Sequence, residues 1–211
     1  MTSEPVFDEA FRQELTELFR WRRDVRRFRT DPLPDGLIEA LIDCAGLSPS
    51  VGLSEPWRWV LVDDPARRAA VRASYEACNA EALSCQAGDR AGLYARLKLS
   101  GLDDAPCHLA VFVAPDPDQG HGLGRRTMPE TTAYSAVIAI HTLWLAARAA
   151  GVGLGWVSIL DPDAVSAALG APPDWKLVGY LCVGYPASAD DTPELERRDW
   201  EHRRPTRLIR R

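Results

Sequence analysis

The stretch ETTAYSAVIAIHTLWLAARAAGVGLGWVSIL, residues 130–160, decides the fold. From Glu130 to Ala150 it is apolar nearly all round, with Val137, Ile138, Ile140, Leu143, Trp144 and Leu145, which predicts a central buried helix rather than a surface one. His141, Arg148 and several Ser and Thr interrupt it, and no second span exists, so it reads as a core helix and not a membrane segment. Gly151 closes it, and Gly155 to Leu160 reads as a strand. The glycines Gly151, Gly153 and Gly155 follow a helix and precede a strand, the reverse of the dinucleotide-binding order. They fit a tight helix-to-strand turn and close approach of backbone to a flat ligand.

Upstream, Phe7, Phe11, Leu15, Leu18 and Phe19 recur at helical spacing and lead into the basic segment Arg22-Arg23-Asp24-Val25-Arg26-Arg27. A second helix starts near Pro34-Asp35 and stops at Gly46, followed by the loop Ser48-Pro49-Ser50-Val51-Gly52. Trp57 to Val62 and Leu109 to Ala114 read as strands, with helical material from Ala66 to about Leu99 broken near Gly88. Pro115 to Pro129 is a Gly, Pro and Asp-rich loop. A short helix after Pro162 and a strand over Leu177 to Val183 complete the pattern. The charged tail from Pro193 to Arg211, with its lone Trp200, cannot form its own core and is expected to lie as an arm on something else. Helices that separate distant strands predict one α+β domain over residues 1–211, a mixed central β-sheet flanked by helices, with residues 193–211 as a C-terminal arm.

The 211 residues carry a net charge of −5, which argues against general nucleic-acid binding and leaves the arginine clusters needing a local explanation. The acidic N-terminus lacks a signal peptide pattern, so a cytoplasmic protein without disulfides is expected. Five cysteines without a CxxC, and four histidines without ligand spacing, predict no metal site. Arg22, Arg23 and Arg26 read either as a phosphate clamp, with Arg22 and Arg26 an i, i+4 pair if the helix persists, or as a basic helix end. Asp24 among them is either an ion-pair partner or a group with chemistry of its own.

Arg22 to Arg26, Ser48 to Gly52 with Pro56-Trp57, and Gly155-Trp156-Val157-Ser158-Ile159-Leu160-Asp161-Pro162 together resemble the 5,6-dimethylbenzimidazole synthases, a family with the nitroreductase-like fold. Thr127 to Thr131 and Tyr180 to Pro186 extend the resemblance, which covers about residues 15 to 204. FMN-dependent nitroreductases in general have Arg-x-Ser where this chain has Arg23-Asp24-Val25. The resemblance implies an oxidoreductase for which reduced FMN, bound as substrate, and O2 yield the lower ligand of cobalamin and erythrose 4-phosphate. It implies that the C1′ carbon of the ribityl chain becomes C2 of the benzimidazole, with Asp24 as the base and Ser158 beside the isoalloxazine ring. Flavin contacts are expected from Arg22, Arg23, Asp24, Val25, Arg26, Ser48, Ser50, Arg90, Leu99 and Ser158. For Ser158, a small residue inside a strand remains the plain alternative. A homodimer, and an external NAD(P)H-dependent flavin reductase that supplies reduced FMN, are further expectations. The competing functions are an NAD(P)H-dependent nitroreductase or flavin reductase that retains its FMN, and a flavin-binding protein without turnover.

Overall fold

The structure, a computed structural model, describes residues 4–97 and 101–211, so Leu99 lies outside the described residues. Helix α1 (Glu9–Trp21) starts where the Asp8 carboxylate accepts the Phe11 N–H at 2.9 Å. Helix α2 (Leu37–Gly46) leads through a 3-10 turn (Val51–Leu53) to strand β1 (Trp57–Leu61). Helix α3 (Pro65–Ser84) opens with an Asp-Pro pair, where Asp64 caps Ala66 N–H and Pro65 costs no hydrogen bond in the first turn. Helices α4 (Asp89–Arg96) and α5 (Gly101–Asp104) precede β2 (Cys107–Val113). The core helix α6 (Thr131–Ala149) then runs into β3 (Gly153–Val157). Helix α7 (Pro162–Leu169) repeats the Asp-Pro start at Asp161 and ends on left-handed Gly170. Strand β4 (Lys176–Gly184) and the short α8 (Glu194–Arg197) finish the chain. Among the described residues no helix is long and apolar enough to cross a membrane.

The four strands lie in the order β1-β2-β4-β3, and every strand pair is antiparallel. The expected mixed character is confined to one parallel bridge, Asp24 with Leu154, on the outer edge of β3. All seven residues of β2 are buried, and their period of two sorts them into two cores. Ala110 and Phe112, with Tyr180 and Cys182 of β4, pack with Val71 of α3 and Val165 of α7. Leu109 and Val111, with Leu181 and Val183, pack with Leu41 of α2 and Ile140 and Leu143 of α6. The sheet is therefore the middle of three layers.

Three expectations change. Helix α1 ends at Trp21 and Arg22 is already extended (φ −71°, ψ 111°), so Arg22 and Arg26 are not a helical i, i+4 pair. Asp24 and Val25 instead pair with the edge of β3, where the Leu154 carbonyl accepts the Val25 N–H at 3.0 Å, and Phe28 bridges Pro186 just past β4. Second, a Cβ on Gly155 would sit 2.1 Å from the Val25 carbonyl oxygen, and one on Gly153 2.7 Å from the Val25 side chain. Gly155 admits the Val25 backbone and Gly153 the Val25 and Pro186 side chains, not a flat ligand. Third, α6 is not buried all round: Tyr134, Val137 and Ile138 form an open apolar stripe, 52%, 41% and 43% exposed. Helix α1 likewise buries none of its residues.

Candidate active site

The edge of β3 explains how Asp24 is positioned. Trp156 faces Leu181 of β4, and its N–H is taken by Asp24 Oδ1 at 2.9 Å. Asp24 Oδ2 lies 3.6 Å from Arg26 Nε. Together with the Asp24–Leu154 bridge these contacts fix the carboxylate to the strand. Asp24 faces a cavity of about 200 Å³ whose lining includes Arg26, Tyr75, Asn79, Trp156, Ser158 and Trp200. Its side chain keeps 39% of its surface on that opening, while the protein packed around it excludes water from the rest. Burial accordingly raises the carboxyl above its ordinary value, outweighing the Trp156 N–H and the guanidinium groups of Arg26 and Arg22, which act to lower it.

Strand β3 ends at Val157, so Ser158 stands just past the strand, exposed on the same cavity. The strand-interior alternative for Ser158 therefore does not apply. A second cavity, of about 140 Å³, adjoins the first through Asp24, Arg26 and Leu195 and is lined by Arg22, Arg23 and Arg203. Arg22 stacks on Trp144 at 4.8 Å and Arg23 donates to the Asp191 and Arg22 carbonyls, while the Asp24 carboxylate acts on Arg22 and those of Asp191 and Asp190 on Arg23. Burial and then the nearby Arg203 lower the pKa of both Arg22 and Arg23. Clustered cations of this kind favour an anion between them.

Four expected contacts lie elsewhere. Val25 faces Gly153 and the core rather than the larger cavity, because its backbone is spent on the β3 edge. Ser48 is buried against α6, its hydroxyl donating to Thr142 Oγ1 at 2.7 Å, and Ser50 Oγ accepts the Glu55 N–H. Neither lines the cavity of its own chain. Arg90 reaches the site indirectly, its guanidinium 5.5 Å from the Trp200 ring.

Sequence reasoning missed Tyr75, Asn79, Tyr94 and Arg203. Tyr75 and Asn79 lie one helical turn apart on α3, a spacing that puts both on one face. Arg203 in an arginine-rich tail carried none.

The sequence profile of the Nitroreductase family matches residues 19–185, most of the chain. The chain belongs to the nitroreductase family. Within it, the chain is 55% identical over 211 residues to the 5,6-dimethylbenzimidazole synthase of Rhodospirillum rubrum, covering all of both chains. It is 53% identical over 205 residues to the enzyme of that name from Rhodobacter capsulatus, covering 97% of this chain and 99% of the other. Among solved structures of the family fold, an iodotyrosine deiodinase bound to FMN and 3-iodo-L-tyrosine superposes with a TM-score of 0.73. Its 22% identity over 93% of this chain and 97% of its own supports the fold alone.

Proposed function

We propose that this chain is a 5,6-dimethylbenzimidazole synthase, which in the cytoplasm fragments reduced FMN with O2 into 5,6-dimethylbenzimidazole and erythrose 4-phosphate, the pyrimidine part of the ring system leaving as a third fragment. The observation that carries this reading is Asp24, a carboxylate of raised pKa at the junction of the two cavities, in a chain 55% identical to an enzyme of that name.

The residues fit FMN. Arg22, Arg23 and Arg203 offer guanidinium donors for the phosphate, and Tyr75 and Trp156 offer aromatic walls for the ring. Reduced FMN, when bound, supplies both the electrons for O2 and the carbon atoms of the product. Asp24 Oδ2 takes the proton from C1′ of the ribityl chain, since Oδ1 is occupied by the Trp156 N–H. Ser158 Oγ donates a hydrogen bond to the isoalloxazine edge and steers the outcome. The chain acts as one domain with its arm, and a separate NAD(P)H-dependent flavin reductase delivers reduced FMN. Supplying chemically reduced FMN and air separates this function from that of an ordinary nitroreductase. The synthase forms benzimidazole and consumes flavin, whereas recovery of all the FMN as oxidised flavin would overturn the reading.

Ser158→Gly removes one neutral hydrogen bond, so FMN binding is expected to stay within about tenfold. Product formation is expected to fall by about ten- to a hundredfold, read as a difference between titrated Kd and turnover. Equal losses in the two would reduce Ser158 to a binding contact.

A homodimer completes the proposal. The open stripe Tyr134, Val137 and Ile138 and the unburied α1 are apolar surfaces that a second copy covers. Ser48 and Ser50, beside α6, then serve the flavin site of the partner. Light scattering at micromolar concentration is expected to give twice the chain mass, and Ile138→Glu to give the monomer. A stable wild-type monomer that binds FMN would contradict it.

A further inference from the structure

The arm carries Trp200, and the structure seats it on its own chain. Helix α8 ends at Arg197, and Asp199 adopts left-handed backbone at φ +56°. Its N–H bonds the Glu196 carbonyl and the Trp200 N–H bonds the Leu195 carbonyl at 2.9 Å, a closed turn that aims the indole back toward the body. The Trp200 ring meets Tyr94 at 6.1 Å between centroids with the planes tilted by 59°, and Arg90 covers it at 5.5 Å. Both partners belong to α4.

Helix α4 lies against α3. Its described side chains include none that is buried, and it begins at Gly88, whose backbone (φ +59°, ψ −140°) suits glycine. On the body side Tyr94 donates to Asn79 Oδ1 of α3 at 3.0 Å. Tyr94, Asn79, Leu97 and Trp200 line the same cavity as Asp24 and Ser158. Trp200 therefore touches both the cavity and the helix that walls it.

We propose that Trp200 is a positioning residue for the substrate cavity: the turn at Asp199 presents its indole to Arg90 and Tyr94, which fixes α4 beside α3 as a wall of that cavity. The inference rests on the flavin reading of the cavity. An aromatic pair and a cation–π contact together hold α4, so removing the indole lets the helix leave and water enter.

The test compares wild type, Trp200→Ala and Trp200→Phe in the full chain. Oxidised FMN binding is titrated by flavin fluorescence, and the fraction of consumed reduced FMN that becomes benzimidazole is measured in air. Trp200→Ala is expected to bind FMN about tenfold more weakly and to give at most about a fifth of the wild-type yield per flavin consumed, with more FMN simply reoxidised. Trp200→Phe, which keeps a ring, is expected to recover most of both. A merely structural role would lower thermal stability while leaving yield per flavin unchanged, and that result overturns the proposal, as does an alanine variant equal to wild type. If wild type binds FMN but makes no benzimidazole, the proposed reaction fails, while the binding comparison still decides the role of Trp200.

Discussion

Asp24→Asn is expected to cut benzimidazole formation by at least about a hundredfold while FMN affinity holds or rises. General-base assistance is worth about 10²–10⁴-fold, and asparagine cannot take a proton. The substitution keeps an oxygen for the Trp156 N–H, so the segment stays on β3. It also removes a negative charge beside the arginine-lined cavity, which favours an anionic phosphate. Reduced FMN in the variant still meets O2 and returns to oxidised FMN.

The pH profile has a definite sign. The base must be ionised, so wild-type turnover falls as pH drops through the Asp24 pKa. Burial has moved that pKa above the ordinary 3.8, so the fall starts at higher pH than for an exposed aspartate. The residual activity of Asp24→Asn lacks this limb. A raised pKa also means that the folded state holds the proton more tightly than the unfolded one. Ionised Asp24 thus costs stability at neutral pH, and the asparagine variant is expected to melt no lower than wild type. Near wild-type product formation by Asp24→Asn would make the carboxylate a structural partner of Arg26 and Trp156.

The second large effect is structural. Gly155→Ala places a Cβ 2.1 Å from the Val25 carbonyl oxygen, and that oxygen belongs to backbone that cannot swing aside as a flexible side-chain tip does. Relief requires residues 24–26 to leave β3, with loss of the Val25 N–H to Leu154 and Trp156 N–H to Asp24 bonds. Two hydrogen bonds at about 1 kcal/mol each, with overpacking of about 1–3 kcal/mol, give a loss of roughly 3–5 kcal/mol. Urea titration reads it as a lower midpoint at unchanged slope. Activity is lost with it, because Asp24 moves. Gly46→Ala, with nothing within 4 Å of the added Cβ and no positive φ, is the control and is expected to be neutral or to stabilise by up to about 1 kcal/mol. A Gly155→Ala variant as stable as Gly46→Ala would contradict the pairing of Asp24 and Val25 with β3.

Local signals were legible wherever one residue decides an outcome. Pro162 marks a helix start, Gly151 marks the turn out of α6, and the apolar runs mark the strands. Long-range pairing was not legible. Nothing in Arg22 to Phe28 announces a β-edge partner, because the acceptor that holds Val25 is 129 residues away on Leu154. The glycines 153 and 155 were read as making room, but sequence does not say for what. The stripe on α6 looked buried because nothing in the sequence separates its exposed apolar residues from those facing the core. Asp24 and Ser158 were legible through family resemblance, whereas Arg203 and Tyr94 reach the site through the fold of the arm and of α4.

The central claim is that the flavin itself is the source of the benzimidazole. Reduced FMN carrying carbon-13 at C1′, mixed in air with the wild-type chain, tests it in one mass spectrum. The expected product is 5,6-dimethylbenzimidazole one mass unit heavier, with the label at C2 by carbon NMR. Unlabelled benzimidazole, or labelled FMN recovered intact, would contradict it.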